Sequence, residues 1–336
     1  MLIHYIFWHG GKARLQEAEC FGDIFPAEQS GRMEMDVLDK LIYLARLRGR
    51  IDVCCRLGGG FHLEHKTEPE TARLHWVVSG GGWLRAGSGP AVALHAGDAV
   101  LLPYDTAHSI ADSLEGLAQP AGKPQLHEGG VLAVKDCGGN RLQLLCGQYR
   151  YTRHAALWLG MPECLLLPLP EMRQTAAMML DEAERLRYGS GTVVNALSQV
   201  MLVAVLRRYR QQSSDPSFLS QLEDPRLSGL LQAVLLAPQE DWSIARMAEM
   251  AKLSRAQLMR LFKSVIGESP HRFVLSIRLQ QAAVQLAASA DTILRIALEN
   301  GFVSESHFNR AFKQYFGQTP KQYRVQQLEE AEKAVV

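Results

Sequence analysis

The string SRAQLMRLFKSVIGESP, from Ser254 to Pro270, returns fifty positions later as SESHFNRAFKQYFGQTP, from Ser304 to Pro320. Six of the seventeen aligned positions are identical: the leading Ser, Arg260/Arg310, Phe262/Phe312, Lys263/Lys313, Gly267/Gly317 and Pro270/Pro320. A unit repeated at this length must fold the same way twice, and that restricts the architecture more than composition does.

Apolar residues on one helical face recur at i, i+3, i+4 and i+7, and each copy resolves into helix, turn and helix on that rule. In the first copy Ile244, Met247, Ala248 and Ala251 form one stripe, and Leu258, Leu261, Phe262 and Val265 another. Lys252-Leu253-Ser254 lies between them, with Ser254 at a capping position and Gln257 three residues on, the spacing of a capping box. In the second copy Ile293, Ile296 and Ala297 open the first stripe, Asn300-Gly301 breaks it, and Phe308, Ala311, Phe312 and Tyr315 line the second helix. Gly301 suits a left-handed turn residue. Upstream of the turn the register slips to forty-nine, so the second turn is one residue longer, and its cap lacks the reciprocal Glu or Gln.

At 100° per residue, Ala256, Met259, Arg260 and Lys263 fall opposite the apolar stripe, as do Ser306, Asn309, Arg310 and Lys313 in the second copy. Arg255 and His307 flank these sets. Arg donors suit guanine edges or phosphate, Asn suits adenine, and a Lys at the far end of each helix suits phosphate. An ordinary solvated face explains either set alone; the tandem repetition favours a nucleic-acid surface. Between the copies, Ser269-Pro270 reads as the cap and first turn of a helix that buries Leu275, Leu279, Ala282 and Leu286. About 18 residues at 1.5 Å each span roughly 27 Å, close to the ~34 Å between successive major-groove faces on one side of B-DNA.

This arrangement resembles the AraC/XylS family of bacterial transcription regulators over about Leu227 to Arg324. The second copy carries the likeness most fully, in Ala297, Gly301-Phe302, Phe308, Phe312-Lys313, Gly317, Pro320 and Tyr323-Arg324. The resemblance implies that Ala256, Met259, Arg260, Ser306, Asn309 and Arg310 face duplex DNA. Ala256 and Met259 are apolar, so the first helix is expected to discriminate bases weakly. The look of the chain is nearest to the efflux regulators of that family, whose cupin-bearing members take small molecules or oxidants as inputs.

The net charge of +1 at first argues against a nucleic-acid partner, but its distribution reverses that conclusion. From Pro225 to Gln326 there are 13 Lys and Arg against 7 Asp and Glu, so the basic excess lies on the repeat. A length of 336 residues with 47% hydrophobic residues suits two domains. There is no run of eighteen apolar residues, so no membrane partner is expected. MLIHYIFWHGG is short and lacks a positive leader, which makes it a poor signal peptide. Residues 1–32 read as a poorly ordered extension, Met33 or Met35 as an alternative start, and Glu34-Met35-Asp36 as the first clear helix start.

From Ile51 to about Leu167 short apolar runs alternate with glycine, as in antiparallel strands and tight turns; Leu74–Val78, Ala91–Leu94 and Ala99–Leu102 are the clearest. Gly97-Asp98, Pro103 and His108 resemble the second motif of the cupin barrel, and Ser79-Gly80-Gly81-Gly82 resembles the turn after its first. Ser113 to Gly130 reads as a long surface loop. The fold class is therefore α+β: a cupin-like antiparallel β-barrel over 33–168, a helical dimerisation segment over 169–210 (helices Glu171–Arg187 and Val193–Arg210), a linker over 211–224, an all-α double helix-turn-helix domain over 225–326, and a tail over 327–336.

A barrel of this size holds one compact ligand, and His75, Trp76, Trp83 and His108 are the candidate pocket walls. Cupin metal sites use a His-x-His and a Glu, and His75 has no such partner. No cofactor and no metal are therefore assigned, although a site made from some of His65, His75 and His108 stays open because neutral imidazole suits Zn or Fe. There is no nucleophile constellation and no phosphate loop, so an enzyme is not expected; a cupin metalloenzyme with a degenerate DNA-binding tail is the alternative. All six cysteines, Cys20, Cys54, Cys55, Cys137, Cys146 and Cys164, lie in the first half without metal-clip spacing. Buried thiols usually act as small hydrophobes; a redox role falls to Cys54 or Cys55, with Cys137 as partner. The expected protein is a cytoplasmic, homodimeric transcription regulator that binds a double-stranded operator, contacts RNA polymerase and answers a small-molecule effector or oxidant. A constitutive DNA binder with a scaffold barrel is the second alternative.

Overall fold

The structure is a computed structural model that describes residues 3–9, 12–18, 36–104, 106–118, 125–127, 130–136, 138–152, 155, 160–212, 219 and 225–333. In the described part of the N-terminal extension, β1 (Ile3–His9) pairs antiparallel with β2 (Lys12–Ala18), Ile3 opposite Ala18 and His9 opposite Lys12. The aromatic and β-branched residues of IHYIFWH favour such a strand. This hairpin belongs to one unit and residues 37–336 form the other.

The larger unit begins with α1 (Val37–Ala45) and continues into ten strands. These are β3 (Arg48–Leu57), β4 (His62–His65), β5 (Thr71–Ala86), β6 (Ala91–His95), β7 (Asp98–Leu102), β8 (His108–Ala111), β9 (Gln125–His127), β10 (Ala133–Asp136), β11 (Leu142–Arg150) and β12 (Leu165–Pro168). The order along the main path is β12-β7-β5-β11-β3-β10-β9, and the far half of β5 pairs with β6 and with β8, which carries β4. Ser79–Gly82, expected as a turn, is the bend inside β5 that lets one strand serve both faces of the half-barrel. Gly80 has φ +78°, and a Cβ there would lie 1.9 Å from the Arg141 carbonyl oxygen. Every pairing in the sheet is antiparallel except β10 on β3. The chain reaches that edge by the long segment after β8 instead of a hairpin. The segment expected as a loop over 113–130 holds a 3-10 turn, Glu115–Leu117, and β9; residues 119–124, 128 and 129 lie outside the described set.

Alternation along the strands sends successive residues to two cores. Ile51, Cys54, Leu74, Trp76, Leu101, Leu145 and Tyr149 pack outward against helices, whereas Cys55, Leu57, Val77, Val100, Ile110, Leu144 and Cys146 fill the barrel. The outer layer is α2 (Arg173–Arg185) and α3 (Ser190–Gln212), within two or three residues of the expected spans. Ser198 of α3 ties the layers together: its hydroxyl accepts from the Ile51 amide at 3.0 Å, and its carbonyl accepts from the Tyr149 hydroxyl at 3.0 Å. Helix α3 has the length and apolarity to cross a membrane, but Val194, Met201, Leu202, Val205 and Leu206 are buried against the domain. Most of the expected linker, residues 213–218 and 220–224, lies outside the described set.

The C-terminal part is all helical: α4 (Ser228–Leu236), α5 (Ile244–Met250), α6 (Arg255–Val265), α7 (Pro270–Ala288), α8 (Ile293–Glu299), α9 (Glu305–Phe316) and α10 (Pro320–Lys333). Ser243, Ser254, Ser269, Thr292 and Ser304 each cap the helix that follows. Ser254 and Gln257 form the full capping box; Ser304 has only its own bond, to the His307 amide. The two turns close with equivalent bonds, Leu253 N–H to Ala248 O and Phe302 N–H to Ala297 O. Lys252 (φ +53°) and Gly301 (φ +75°) are the left-handed residues, so the glycine of the second turn is matched by a lysine in the first.

Helix α7, read from sequence as a spacer, is a core element. Phe273, Val274 and Ile277 join the first helix-turn-helix unit and α1, while Leu279, Ala282, Ala283 and Leu286 join the second unit. Its Arg278 donates to the carbonyls of Pro238 (2.7 Å), Glu240 (2.7 Å) and Gly301 (3.0 Å), stitching the two units together.

Candidate functional site

Helices α6 and α9 present the predicted outward faces. Leu258 and Phe262, and their counterparts Phe308 and Phe312, are fully buried, which turns the opposite faces to solvent. Arg255, Ala256, Met259, Arg260 and Lys263 are exposed on α6, and Ser306, His307, Arg310 and Lys313 on α9, with Asn309 half-buried. Four other arginines of this region are engaged: Arg246 with Glu240 and the Trp242 ring, Arg295 with Asp291 and Glu299, Arg278 and Arg324 with backbone carbonyls. Arg260 and Arg310 make no ion pair among the described residues. Lys263 differs from Lys313 in that its ammonium donates to the Gly267 carbonyl at 2.8 Å, closing its own helix.

A second cluster lies inside the barrel. Two cross-strand pairs face each other: His65 opposite His108 on β4 and β8, and His75 opposite Cys146 on β5 and β11. The His75 and His108 Nε2 atoms are 2.9 Å apart, His108 Nδ1 is 2.8 Å from the Thr106 carbonyl oxygen, and His75 Nδ1 is 3.1 Å from Cys146 Sγ. The His65 and His108 rings stack, with centroids 4.6 Å apart and planes at 7°. His75 and His108 are 1% and 3% exposed. Burial lowers all three imidazole pKa values, His65 to about 2 and His108 to about 4, and neighbouring His108 adds to the shift at His65 and His75. The cluster is therefore neutral at pH 7. Three neutral rings offer nitrogen lone pairs for a Lewis acid or a hydrogen-bond donor.

Of the expected pocket walls, the structure brings His75 and His108 together and places the tryptophans elsewhere. Trp76 follows His75 on β5 and so points to the opposite face, into the core under the helices. Trp83 lines a separate shallow groove of about 300 Å³ with Gly81, Gly82, Asp112 and Arg141. The same alternation separates Cys54 and Cys55. Cys54 lines an apolar cavity of about 160 Å³ under α2, with Leu132, Val134, Leu180 and Leu186, and burial raises its thiol pKa. Cys55 points into the barrel, where its sulfur is 3.7 Å from that of Cys146. The contact with Cys55, then burial, pushes the Cys146 thiol up. Cys137 lies outside the described residues. Cys146 as a partner of both Cys55 and His75 was missed in the sequence; only the pairing register of β11 reveals it.

A half-barrel of cupin type joined to two capped helix-turn-helix units defines a DNA-binding transcription regulator with a sensor-type N-terminal domain. Comparison with known proteins agrees: the cupin family matches residues 36–211, and the helix-turn-helix domain family residues 247–326. The chain is 40% identical to the HTH-type transcriptional regulator MtrA of Neisseria gonorrhoeae, over 86% of this chain and 98% of that protein. It is 29% identical to the RCS-specific HTH-type transcriptional activator RclR of Escherichia coli, over 86% and 97% of the two chains. A solved AraC-type transcriptional regulator structure from Chromobacterium violaceum is 32% identical, covers 31% of this chain and 93% of that one, and has a TM-score of 0.30. The chain belongs to the AraC family of HTH-type transcriptional regulators.

Proposed function

We propose that this regulator reads a non-palindromic operator with both units of one chain, α6 and α9 entering successive major grooves. The observation that carries this reading is the pair of repeated, exposed arginines, Arg260 and Arg310, without an ion pair among the described residues, on helices packed along α7. Nineteen residues of α7 at 1.5 Å each span about 28 Å, near the groove repeat. In this reading Arg310 and Asn309 read base edges and Ser306 and His307 position the backbone. Arg260 reads a guanine or clamps phosphate beside Arg255, Ala256 and Met259 pack on methyl groups or sugars, and Lys263 and Lys313 hold phosphates.

The barrel supplies the input, a small molecule or an oxidant, and the relative named for one stimulus supports a gated regulator over a constitutive one. Helices α2 and α3 offer a homodimer face, with Met178, Val193 and Val200 exposed. RNA polymerase is the downstream partner, and the cytoplasm, where operator and polymerase meet, is the place of action. Selection of bound sequences from a randomised duplex library tests the reading. A bipartite site whose second half loses one base preference in Arg310→Ala is expected, with affinity lower by about 1–3 kcal/mol. An unchanged profile in that variant rejects it.

A further inference from the structure

The histidine cluster has a property that packing does not explain. Thr106's carbonyl only accepts, so His108 donates from Nδ1 and presents a lone pair at Nε2. With neutral rings, His75 then donates from Nε2 to His108, and its Nδ1 accepts from the Cys146 thiol. That chain satisfies His75 and His108 but not His65, whose Nδ1 is buried with no hydrogen-bond partner among the described residues. Leaving a buried ring nitrogen without a partner is unfavourable, and no described residue supplies one. One ring nitrogen from each of His65, His75 and His108 lies within 4.8 Å of the other two.

We propose that His65, His75 and His108 together bind one divalent first-row transition-metal ion, with Cys146 as the hydrogen-bonded neighbour that orients His75. Metal–nitrogen bonds of about 2.0–2.1 Å around a tetrahedral ion place ligand nitrogens roughly 3.3 Å apart. The 2.9 Å pair needs to open slightly and the third ring to close in. Imidazole donors without carboxylates select zinc, iron, nickel or copper over magnesium or calcium. The donors come from three strands, without the His-x-His and Glu of the usual cupin set. Three rings leave a fourth position for water or a small-molecule donor.

Binding also has a consequence for the thiols. The ion takes the Nε2 lone pairs of both His75 and His108, so the proton on His75 moves to Nδ1 and points at the Cys146 sulfur. The Cys146 hydrogen then turns toward the Cys55 sulfur, 3.7 Å away, and no proton is lost. The bond that fixes the tautomer of a metal-bound histidine is worth 10–100-fold in metal affinity.

That the ion is part of the sensor's input rests on the regulator reading; the site itself does not, and its test is separate. The full-length protein, stripped with a chelator, is titrated with Co²⁺ followed by its visible d–d absorption, and then displaced with Zn²⁺. One equivalent per chain is expected, with uptake below a tenth of an equivalent in His65→Ala and in His108→Ala, and one equivalent bound 10–100-fold more weakly in Cys146→Ser. His65 is partly exposed, so its variant carries the test if His108→Ala does not fold. Wild-type protein that takes up no saturating Co²⁺, or uptake that persists in the His65→Ala variant, overturns the proposal. Operator binding measured on the same metal-free sample reports on the regulator reading by itself.

Discussion

Arg46 and Tyr323 stand 277 residues apart in sequence, and the guanidinium of the first donates to the hydroxyl of the second at 3.1 Å. The same guanidinium reaches Gln327 at 2.5 Å, and Lys40 reaches Gln281 at 2.9 Å. Helix α1, which leads into the barrel, therefore docks on α7 and α10 of the DNA-binding part, while its last carbonyl, at Ala45, accepts from Thr152 on the barrel side at 2.8 Å. Arg46→Ala should remove about 1–2 kcal/mol from this junction. Calorimetry is expected to show the wild type's unfolding transition broadening or splitting in the variant; an unaltered single transition would mean that the contact does not couple the two parts.

The two repeated lysines should behave differently on DNA. Lys313→Ala is expected to weaken all sequences alike and to lower the slope of log affinity against log salt by about one. Lys263 already spends its ammonium on the Gly267 carbonyl, so Lys263→Ala should change the salt slope less and cost part of its effect in helix stability. Salt titrations of both variants on one duplex check the contrast; equal slopes would refute it.

The turns make opposite stability predictions. Lys252 holds a left-handed conformation that a glycine adopts without its Cβ penalty, so Lys252→Gly should stabilise by about 0.5–1 kcal/mol. Gly301→Ala should destabilise by about 2 kcal/mol or more, because φ is +75° and the new Cβ would lie 2.7 Å from the Gln239 carbonyl oxygen and 3.0 Å from Arg278 Cζ. Denaturant unfolding of both proteins measures the signs.

Acid should unfold the chain through the barrel. The histidine pKa values are lowered in the fold, to about 4 for His108 and about 2 for His65, so the unfolded chain binds protons that the native cluster refuses. Stability is complete above the ordinary value of about 6.5 and falls as pH drops through it, by about 1.4 kcal/mol per pH unit for each histidine, until the folded value is reached. Unfolding measured between pH 7.5 and 5 in chelator should show this slope, and His108→Gln should flatten it by about one proton. A slope that does not change in the variant would remove His108 from the account.

The helical half was legible because its information is local. Ser254 with Gln257, Ser269 with Pro270 and Gly301 act within four residues of themselves, and all do in the structure what their spacing requires. The barrel was legible as a class but not as a site, since a strand's inward residue is known only once its register is known. His75 and Trp76 are both candidate pocket walls by sequence, and pleating sends them to opposite cores. Cys146 was invisible for the same reason: its neighbours His75 and Cys55 lie 71 and 91 residues away. The bend at Gly80 and the docking of α1 likewise depend on partners distant along the chain.

Helix α7 is buried along most of its length by both helix-turn-helix units and by α1, and in the proposed reading that constrains how control can be exerted. In the proposed reading the two heads share the packing of a single filled shaft, so an effector that loosened one would disturb the seat of the other. What remains adjustable is the attitude of the pair as a whole, set at the seam beneath α1. If both units read one operator as proposed, the spacing of its halves is set by the protein, and a single inserted base pair, about 34° of helical rotation, should weaken binding of the second half.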